Sequence, residues 1–319
     1  MIMLARVVKQ HGDLGWVGMG EERSTGLQTL GKVGVVGLGL IGGSLALDLR
    51  QQGVPVTGLV HRDSTATRAM QRGLVDEVSC HPSCLNDCNT VILALPIEAL
   101  LTPEPQLVEA LPANAVVTDV GSVKGAVLEV WRHRHPRFVA AHPMAGTDQS
   151  GVDAGHHGLF RGRPWVATPE PSTDPQALAR VKVLAEGLGS EWITADAACH
   201  DQAVALVSHL PVMVSAALLR AAGDERDPRV QDLARHLASS GFADTTRVGG
   251  GNPALGTAMA CRNTSALLKA LAAYRWSLEQ LEEAILSGHW AQLENELRKT
   301  SALRPGFVEK GPGPLSPPG

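Results

Sequence analysis

Short apolar segments alternate with helix-like segments over the first half of the sequence. Six of these segments are apolar at almost every position and are expected to be strands: 33–37, 56–60, 90–95, 115–118, 138–141 and 165–168. Continuous apolar character is typical of parallel strands that helices cover on both faces. The pattern therefore predicts an α/β fold with a doubly wound, Rossmann-type parallel sheet, and one more short edge strand at 192–194.

The second half of the sequence has a helical pattern with no strand-like interruption. From Ala197 onward, apolar residues recur at helical spacing, as in Ala203, Val207, Leu210 and Val214, and again between Leu267 and Leu281. An all-helical C-terminal domain is therefore predicted. It holds more apolar residues than a surface bundle needs, so we expect a homodimer formed through these helices; a large internal core would explain the same pattern.

Four segments follow from these patterns. Residues 1–30 lack sustained periodicity and contain many glycines, which predicts a flexible extension. Residues 31–195 form the α/β domain and residues 196–303 the helical domain. Residues 304–319 are rich in Pro and Gly and are predicted to be disordered. The last ~20 residues are too few for an appended regulatory domain.

Composition limits the classes of partner. The 319 residues can hold two domains, and the formal net charge of −4 gives no reason to expect nucleic acid or an anionic membrane as a partner. No apolar run approaches the ~20 residues that span a bilayer. The N-terminus lacks the order of regions found in a signal peptide, so we expect a cytoplasmic protein.

The five cysteines suggest reduced thiols. Cys80, Cys84 and Cys88 recur every four residues beside His81, but this spacing matches no zinc-binding pattern. We therefore predict no metal site.

A glycine-rich turn follows the first predicted strand. Gly37, Gly39 and Gly42 form the pattern G-x-G-x-x-G, with Leu40 and Ile41 between them, and a helix-like segment comes next. Such a turn lets the backbone approach a pyrophosphate, while free amides of the helix face the phosphates. With a strand before it and a helix after it, the pattern predicts a dinucleotide-binding site.

The tip of the second strand bears on which dinucleotide binds. An acidic residue there would bind the ribose 2′-hydroxyl of NAD, but the residues present are His61 and Arg62, with Ser64 just beyond. This set suits a 2′-phosphate and favours NADP, with NAD as the alternative. Asp63 lies close to the expected acidic position, although it could instead cap the following helix.

Polar residues cluster after three of the predicted strands. Leu95 and Pro96 end the third strand, Ser122 and Lys124 follow the fourth, and His142 and Thr147 follow the fifth. The carboxyl ends of parallel strands line the ligand crevice of such sheets, so these residues are expected near the nicotinamide ring. Two of them have simpler interpretations. His142 could be a hydrogen-bonded structural histidine, and Lys124 could lie on the first turn of a helix.

Several motifs together resemble a known family. They are Gly37–Ser44, Asp119–Lys124 and His142–Thr147, with further matches at His200-Asp201, Ser208–Pro211 and Ser240–Arg247. In this order they cover roughly residues 33–300. The combination resembles the prephenate/arogenate dehydrogenase family of tyrosine biosynthesis. Segments 208–217 and 238–256 are most similar to NADP-dependent arogenate dehydrogenases of the cyanobacterial type.

The resemblance implies the oxidative decarboxylation of a cyclohexadienol. Hydride passes from the hydroxyl-bearing ring carbon to NADP⁺, and loss of CO₂ makes the ring aromatic. By family match His142 is the general base, Ser122 contacts His142 or the substrate hydroxyl, and Arg247 binds the ring carboxylate. Further substrate-binding candidates are Thr147, Ser208 and His209.

Some of these residues also have structural interpretations. Arg247 could pair with Asp244 on the surface, His209 could be a buried core histidine, and His200 could cap or pack near a helix start.

One departure from the family pattern concerns the substrate. Many prephenate-using relatives have a histidine where this chain has Val212. Absence of an imidazole near the ammonium group of arogenate favours L-arogenate, and prephenate is the alternative.

Two other classes of protein are compatible with the glycine turn. A β-hydroxyacid-type dehydrogenase would need a lysine base in the helical half, where Lys269 lies among apolar residues. A dinucleotide-sensing regulator would have no use for the set of His142, Ser122 and Arg247.

Overall fold

The computed structural model describes residues 26–147 and 149–308. The predicted extension up to residue 25 and the tail from residue 309 lie outside the described residues. A six-stranded parallel sheet has the strand order β3-β2-β1-β4-β5-β6. Its strands are β1 Val33–Val36, β2 Val56–Leu59, β3 Glu77–Ser79, β4 Thr90–Leu93, β5 Val116–Asp119 and β6 Phe138–Val139. The predicted Rossmann-type sheet is confirmed; β3, which is short and polar, had no apolar signal.

A second, three-stranded sheet corrects one part of the prediction. The segment expected as one strand at 138–141 divides at Ala140, and the chain continues as β7 (Ala141–Pro143), antiparallel to β8 (Pro164–Ala167). Strand β9 (Glu191–Thr194) pairs with the other side of β8. Strands 165–168 and 192–194 therefore do not extend the parallel sheet. Apolar content reports burial, and β7 of the second sheet is as buried as the central strands of the parallel sheet.

Helices of the α/β domain pack around these sheets. They are α1 Leu40–Gln51, α2 Asp63–Gln71, α3 Ile97–Leu101, α4 Pro105–Ala110, α5 Gly125–Trp131 and α6 Pro175–Gly187. Two buried apolar clusters cover the two faces, one around Leu45 and Trp165 and the other around Leu93 and Trp131.

The C-terminal half is helical, as predicted. Its helices are α7 Ala197–Val204, α8 Leu210–Gly223, α9 Pro228–Leu237, α10 Ser240–Thr246, α11 Pro253–Arg262, α12 Thr264–Leu286 and α13 Trp290–Val308. A π-helical turn, Ala205–His209, joins α7 to α8 without a break. A short 3₁₀ helix, Arg247–Gly250, packs against α8.

The continuous helical stretch Ala197–Gly223 overturns one sequence expectation. It is 27 residues long and contains an 18-residue window with a mean hydropathy of 1.7, so it is long and apolar enough to cross a membrane by length and composition. The expectation that no apolar run approaches this length was wrong, because the polar residues in the stretch are few. The same stretch carries His200 and Asp201, which contact the α/β domain.

Two predicted boundaries also change. Residues 26–30, assigned to the flexible extension, place Leu27 and Leu30 in the core with no exposed surface. The carbonyl of Leu30 accepts a 2.9 Å hydrogen bond from Thr90 Oγ1. Residues 304–308, assigned to the disordered tail, are the last five of α13, with Pro305 inside the helix.

Candidate active site

The three glycines of the turn are needed for different reasons. Gly37 has φ of +91°, and a Cβ there would lie 2.4 Å from the carbonyl oxygen of Ala94. A Cβ at Gly42 would lie 1.9 Å from the carbonyl oxygen of Gly37, so the fold itself requires glycine at both positions. A Cβ at Gly39 would meet nothing within 4 Å. Only a ligand on the open side of the turn gives a reason for glycine at position 39.

A cavity of about 690 Å³ opens in front of this turn. Five predicted cofactor residues line it: Gly37, Gly39, His61, Arg62 and Leu95. Others lie outside its lining: Leu40, Ile41, Gly42, Ser64, Pro96 and Ser122. Thr65, which directly follows Ser64, also lines the cavity. Further lining residues carried no cofactor signal in the sequence because segments far apart in the chain supply them, and they include Cys80, His81, Glu104, Gly151 and Val152.

Asp63 does not cap the helix that follows β2. Helix α2 begins at Asp63 itself, Arg62 is in the N-cap position, and no side chain caps the helix. The Asp63 carboxylate instead accepts a 3.3 Å hydrogen bond from the Cys80 thiol. Asp63 is absent from the residues that line the cavity, whereas Arg62 and His61 are exposed along its wall.

The segment 149–158 is a strap that crosses helix α1. Gly155 packs on Gly43 so closely that a Cβ at Gly155 would lie 2.9 Å from the Gly43 carbonyl carbon. Arg72 donates a 2.7 Å hydrogen bond to the carbonyl of Gly155, and Asp48 accepts hydrogen bonds from the ring of His157 and the amide of Gly158. The strap brings Gly151 and Val152 to the cavity wall.

His142 lies inside strand β7, one strand beyond the parallel sheet. Its Nδ1 is 3.0 Å from Nε2 of His200, and Nδ1 of His200 is 2.8 Å from Oδ1 of Asp201. The His142 side chain is buried, with 9 % of the residue exposed. Among the described residues, no group forms a hydrogen bond with Nε2 of His142. This atom is also not one of the fully buried nitrogen and oxygen atoms that lack a partner, so it keeps some accessible surface. This nitrogen therefore reaches the surface of the site.

The surroundings of His142 favour a neutral ring. Burial, followed by the nearby His200, Lys124 and His209, holds the pKa of His142 well below its usual value of 6.5. A neutral imidazole is the form that can accept a proton.

Asp201 is held as a carboxylate between the two domains. Its oxygens accept hydrogen bonds of 2.8 and 2.9 Å from the backbone amides of Lys124 and Gly125. Burial alone would raise the pKa of Asp201, but the hydrogen bonds from His200 and the two amides outweigh it and lower the pKa. Asp201 is therefore ionised at neutral pH.

Lys124 is a buried structural cation and not a residue of an exposed first turn. It has no exposed surface, binds Asp119 and donates a 2.7 Å hydrogen bond to the carbonyl of Ala141. Burial lowers the pKa of Lys124, which Asp119 opposes. Asp119 also accepts from the amide of Ala141, so this pair fixes the residue that precedes His142.

The other predicted substrate residues lie in less constrained positions. Ser122 is half-buried and makes no described hydrogen bond to His142, whose Nδ1 is occupied by His200. Thr147 is exposed and its hydroxyl accepts from the amide of Gln149 at 3.2 Å. Arg247 is exposed and forms no described ion pair with Asp244. Ser208 is half-buried on the π-helical turn.

His209 is buried beside this network. Its Nδ1 is 3.3 Å from Nδ2 of Asn263, which also donates to the carbonyl oxygen of Asp201 at 2.7 Å. The Nε2 of His209 is buried, and no group among the described residues forms a hydrogen bond with it. Because an amide nitrogen can only donate, Nδ1 of His209 accepts and Nε2 carries the proton.

Three residues of this site carried no sequence prediction of a role: Asp119, Asp201 and Asn263. Asp119 and Asp201 contact near neighbours, Lys124 and His200, but each also binds the backbone of a distant element. Asn263 contacts Asp201 and His209 only across the fold, so spacing gave no signal for these roles. The His200-Asp201 pair stood among the family matches, although its contacts did not follow from them.

Comparison with known proteins gives one consistent family. Residues 45–194 match the prephenate dehydrogenase nucleotide-binding domain, and residues 196–299 match the prephenate dehydrogenase dimerization domain. Among curated proteins, the cyclohexadienyl dehydrogenase of Zymomonas mobilis is 31% identical over 85% of this chain and 94% of its own length. The prephenate dehydrogenase of Bacillus subtilis is 32% identical, and the chain spans 61% of that relative's length.

Two solved structures with similar folds belong to the same family. Synechocystis arogenate dehydrogenase is 45% identical, with a TM-score of 0.76, and the match covers 87% of this chain and 100% of that one. The prephenate dehydrogenase from A. aeolicus, in complex with hydroxyphenyl propionate and NAD⁺, is 29% identical, with a TM-score of 0.80 and coverage of 86% and 97%. Both halves of the chain, its fold and these relatives place it in the prephenate dehydrogenase family of nicotinamide-dependent oxidoreductases.

Proposed function

We propose that this enzyme converts L-arogenate to L-tyrosine by oxidative decarboxylation with NADP⁺. The observation that carries the proposal is the imidazole of His142. It is neutral, fixed through Nδ1, and has a free Nε2 beside the carboxyl edge of a dinucleotide-binding sheet. This is the arrangement that removal of a hydroxyl proton requires.

The residues around the cavity fit a dinucleotide. The open side of Gly39, the start of the 12-residue helix α1 and the free wall around His61 and Arg62 would hold its phosphates. When bound, the nicotinamide supplies the acceptor for the hydride. Arg62 supports NADP, because this arginine lines the cavity and Asp63 is engaged by Cys80. The A. aeolicus relative was solved with NAD⁺, so NAD is the competing cofactor.

The remaining residues bind and orient the substrate. His142 accepts the proton of the ring hydroxyl at Nε2, and Ser122 contacts the same hydroxyl. Arg247 has an exposed guanidinium free to pair with the ring carboxylate. The N–H of His209 is buried and has no partner among the described residues, so it can donate to a substrate oxygen only after the pocket opens toward it. Thr147 and Ser208 complete the proposed pocket. Loss of CO₂ then makes the ring aromatic, which drives the reaction.

Two observations support arogenate over prephenate. Val212 is a half-buried apolar residue on α8, 3.8 Å from the position of a Cβ on Gly256, and it offers no cation to repel an ammonium group. The 45% identical relative is an arogenate dehydrogenase. A single apolar residue discriminates by only about 1–3 kcal/mol, so some prephenate activity is expected.

We also propose that the enzyme is a cytoplasmic homodimer. The helical domain matches a dimerization domain and leaves many large apolar side chains exposed. The five cysteines are unpaired, as expected in a reducing compartment.

Steady-state assays with both acids and both cofactors test the proposal. Reduced nicotinamide absorbance should rise with arogenate and NADP⁺, with the highest kcat/KM of the four combinations. A higher kcat/KM for prephenate would reassign the substrate, and a higher value with NAD⁺ would reassign the cofactor. No turnover with either acid would contradict the function.

A further inference from the structure

The hydrogen bonds around His142 determine which of its nitrogens carries the proton. An ionised carboxylate can only accept, so Nδ1 of His200, 2.8 Å from Asp201 Oδ1, must donate. With its single ring proton on Nδ1, His200 has a lone pair on Nε2. Nδ1 of His142 lies 3.0 Å away, so it must be protonated and donate a hydrogen bond to this lone pair. The Nε2 of His142 is therefore left unprotonated.

We propose that His200 and Asp201 are positioning residues that lock His142 in the tautomer competent for proton abstraction. This inference rests on the proposed function, in which Nε2 of His142 is the base. Asp201 acts through His200 and does not touch the reacting atoms. The principle is that of a carboxylate that orients a catalytic imidazole, here extended by one more ring.

Asp201 is positioned by groups on both sides. The backbone amides of Lys124 and Gly125 donate to its two oxygens, and these donors cannot be reversed because backbone N–H groups never accept. Asn263 donates to the carbonyl oxygen of the same residue. The carboxylate therefore has one orientation, and the direction of the hydrogen bonds through His200 follows from it.

The chain of hydrogen bonds crosses the boundary between the two domains. His142, Lys124 and Gly125 belong to the α/β domain, whereas His200 and Asp201 lie on the first helix of the helical domain. The base is consequently set only while α7 is packed on the α/β domain. Separation of the two domains would leave His142 free to exchange tautomers.

Nitrogen NMR of ¹⁵N-histidine-labelled enzyme tests the tautomer directly. The His142 resonances are assigned by their loss in His142→Gln. In the wild-type enzyme at neutral pH we expect a protonated Nδ1 and an unprotonated Nε2. A protonated Nε2, or a mixture of the two tautomers, would overturn the proposal whatever the activity of the enzyme.

Asp201→Asn tests the role of the carboxylate. The amide of Asn has one oxygen for three donors, which are the backbone amides of Lys124 and Gly125 and Nδ1 of His200. It also carries no charge, so the hydrogen bond that fixes the proton on Nδ1 of His200 is weakened and the second tautomer of both rings becomes populated. We expect kcat to fall at least about tenfold with KM nearly unchanged, together with the appearance of the His142 tautomer that is protonated at Nε2. The matched control is Asp196→Asn, because Asp196 caps the same helix through the amide of Cys199 at 2.8 Å and Asn caps equally well. The control should retain wild-type kcat.

Variants of His200 provide a test that leaves Asp201 unchanged. His200→Gln offers an amide oxygen to Nδ1–H of His142, whereas His200→Leu offers none. We expect kcat of His200→Gln to exceed that of His200→Leu by at least about tenfold. Equal kcat values in both variants would contradict the positioning role. If the tautomer is as expected but His142→Gln turns over normally, the proposed base fails while the hydrogen-bond assignment stands.

Discussion

His142 owes its chemistry to contacts made by other residues. Nδ1 is taken by His200, so Nε2 alone is available to a ligand. Burial and the neighbouring His200, Lys124 and His209 lower the pKa of His142, while the carboxylates of Asp201 and Asp119 lie behind His200 and Lys124. The same residue in an exposed loop would titrate near its usual value.

The first prediction is a pH profile. A base must be deprotonated, and a lowered pKa keeps His142 neutral as the pH falls. The acid limb of log kcat/KM should therefore lie below pH 6.5, the usual value for histidine, with activity lost only below that limb. His142→Gln should lower kcat by about 10²–10⁴-fold while NADP still binds. His133→Gln, on an exposed residue, is the control. An acid limb above pH 6.5 would contradict the assignment.

Arg62 carries the second prediction, which concerns the cofactor. Arg62→Asp removes a charge-assisted contact worth about 1.5–3 kcal/mol, so KM for NADP should rise about tenfold to a hundredfold and KM for NAD much less. Arg134→Ala, an exposed residue outside the cavity lining, should change neither. Equal increases for both cofactors would show that Arg62 does not contact the 2′-phosphate.

Lys124 gives a prediction about stability. Both side chains of the Lys124–Asp119 pair have no exposed surface. Lys124→Met would leave the Asp119 carboxylate buried without its cation, at a cost of about 3–5 kcal/mol, or about 10 °C in Tm. Lys182→Met removes a pair whose side chains are 49% and 52% exposed, and Tm should barely move. Calorimetry measures the Tm of both variants. A small Tm shift of similar size in both would refute the structural role of Lys124.

At the scale of elements, the turn between β1 and α1 contains one glycine that backbone packing requires and another that only a bound ligand would require. Gly42 is required because its neighbours are backbone atoms of the same turn, and Gly39 faces open space. The strap 149–158 then adds a second wall through its contacts with α1.

The two glycines should therefore fail differently when changed to alanine. Gly39→Ala should leave Tm nearly unchanged and raise KM for the cofactor at least about tenfold, because the methyl group displaces the pyrophosphate. Gly42→Ala should lower Tm, since a Cβ 1.9 Å from a carbonyl oxygen forces α1 off the sheet. Differential scanning fluorimetry and cofactor titration measure both. A lower Tm in Gly39→Ala would show that the folded protein requires glycine at position 39 even without a ligand.

At the scale of the whole molecule, the two domains differ in how well they cover their apolar residues. The α/β domain buries its core, whereas helices α8 to α13 expose many large side chains, including Trp276, Leu286 and Trp290 at 63%, 75% and 63%. Such a surface is typical of an obligate interface. The apolar stretch Ala197–Gly223 belongs to the same domain.

Helix α9 offers a test of the dimer. Leu233 and Leu237 are 58% and 69% exposed and lie one turn apart on the same face. The double variant Leu233→Glu, Leu237→Glu should shift the mass measured by light scattering from twice that of the chain to that of one chain. Arg235→Ala, on another face of α9, should remain dimeric. A double variant that keeps the dimer would place the interface on other helices.

The sequence was informative where chemistry depends on local order. Gly37, Gly39 and Arg62 could be placed because a strand, a turn and a helix follow one another directly. Strand β3 and the division at Ala140 could not be predicted, because a short segment carries no sequence pattern that shows which strand it pairs with. The roles of Asp201 and Asn263 were missed for the same reason, as each contacts residues from distant elements.

The sequence by itself determined the alternation of strands and helices, the glycine turn and the family, because each is a pattern formed by residues that are close together in the chain. Only the tertiary structure decided that Asp201 and His200 reach His142, that Lys124 is buried on Asp119, and that Asp63 faces Cys80. Lys124 and Asp119 are only five residues apart, but their burial depends on the elements packed around them. The contacts of His200 with His142 and of Asp201 with Lys124 join distant residues and exist only after the helical domain has packed on the α/β domain.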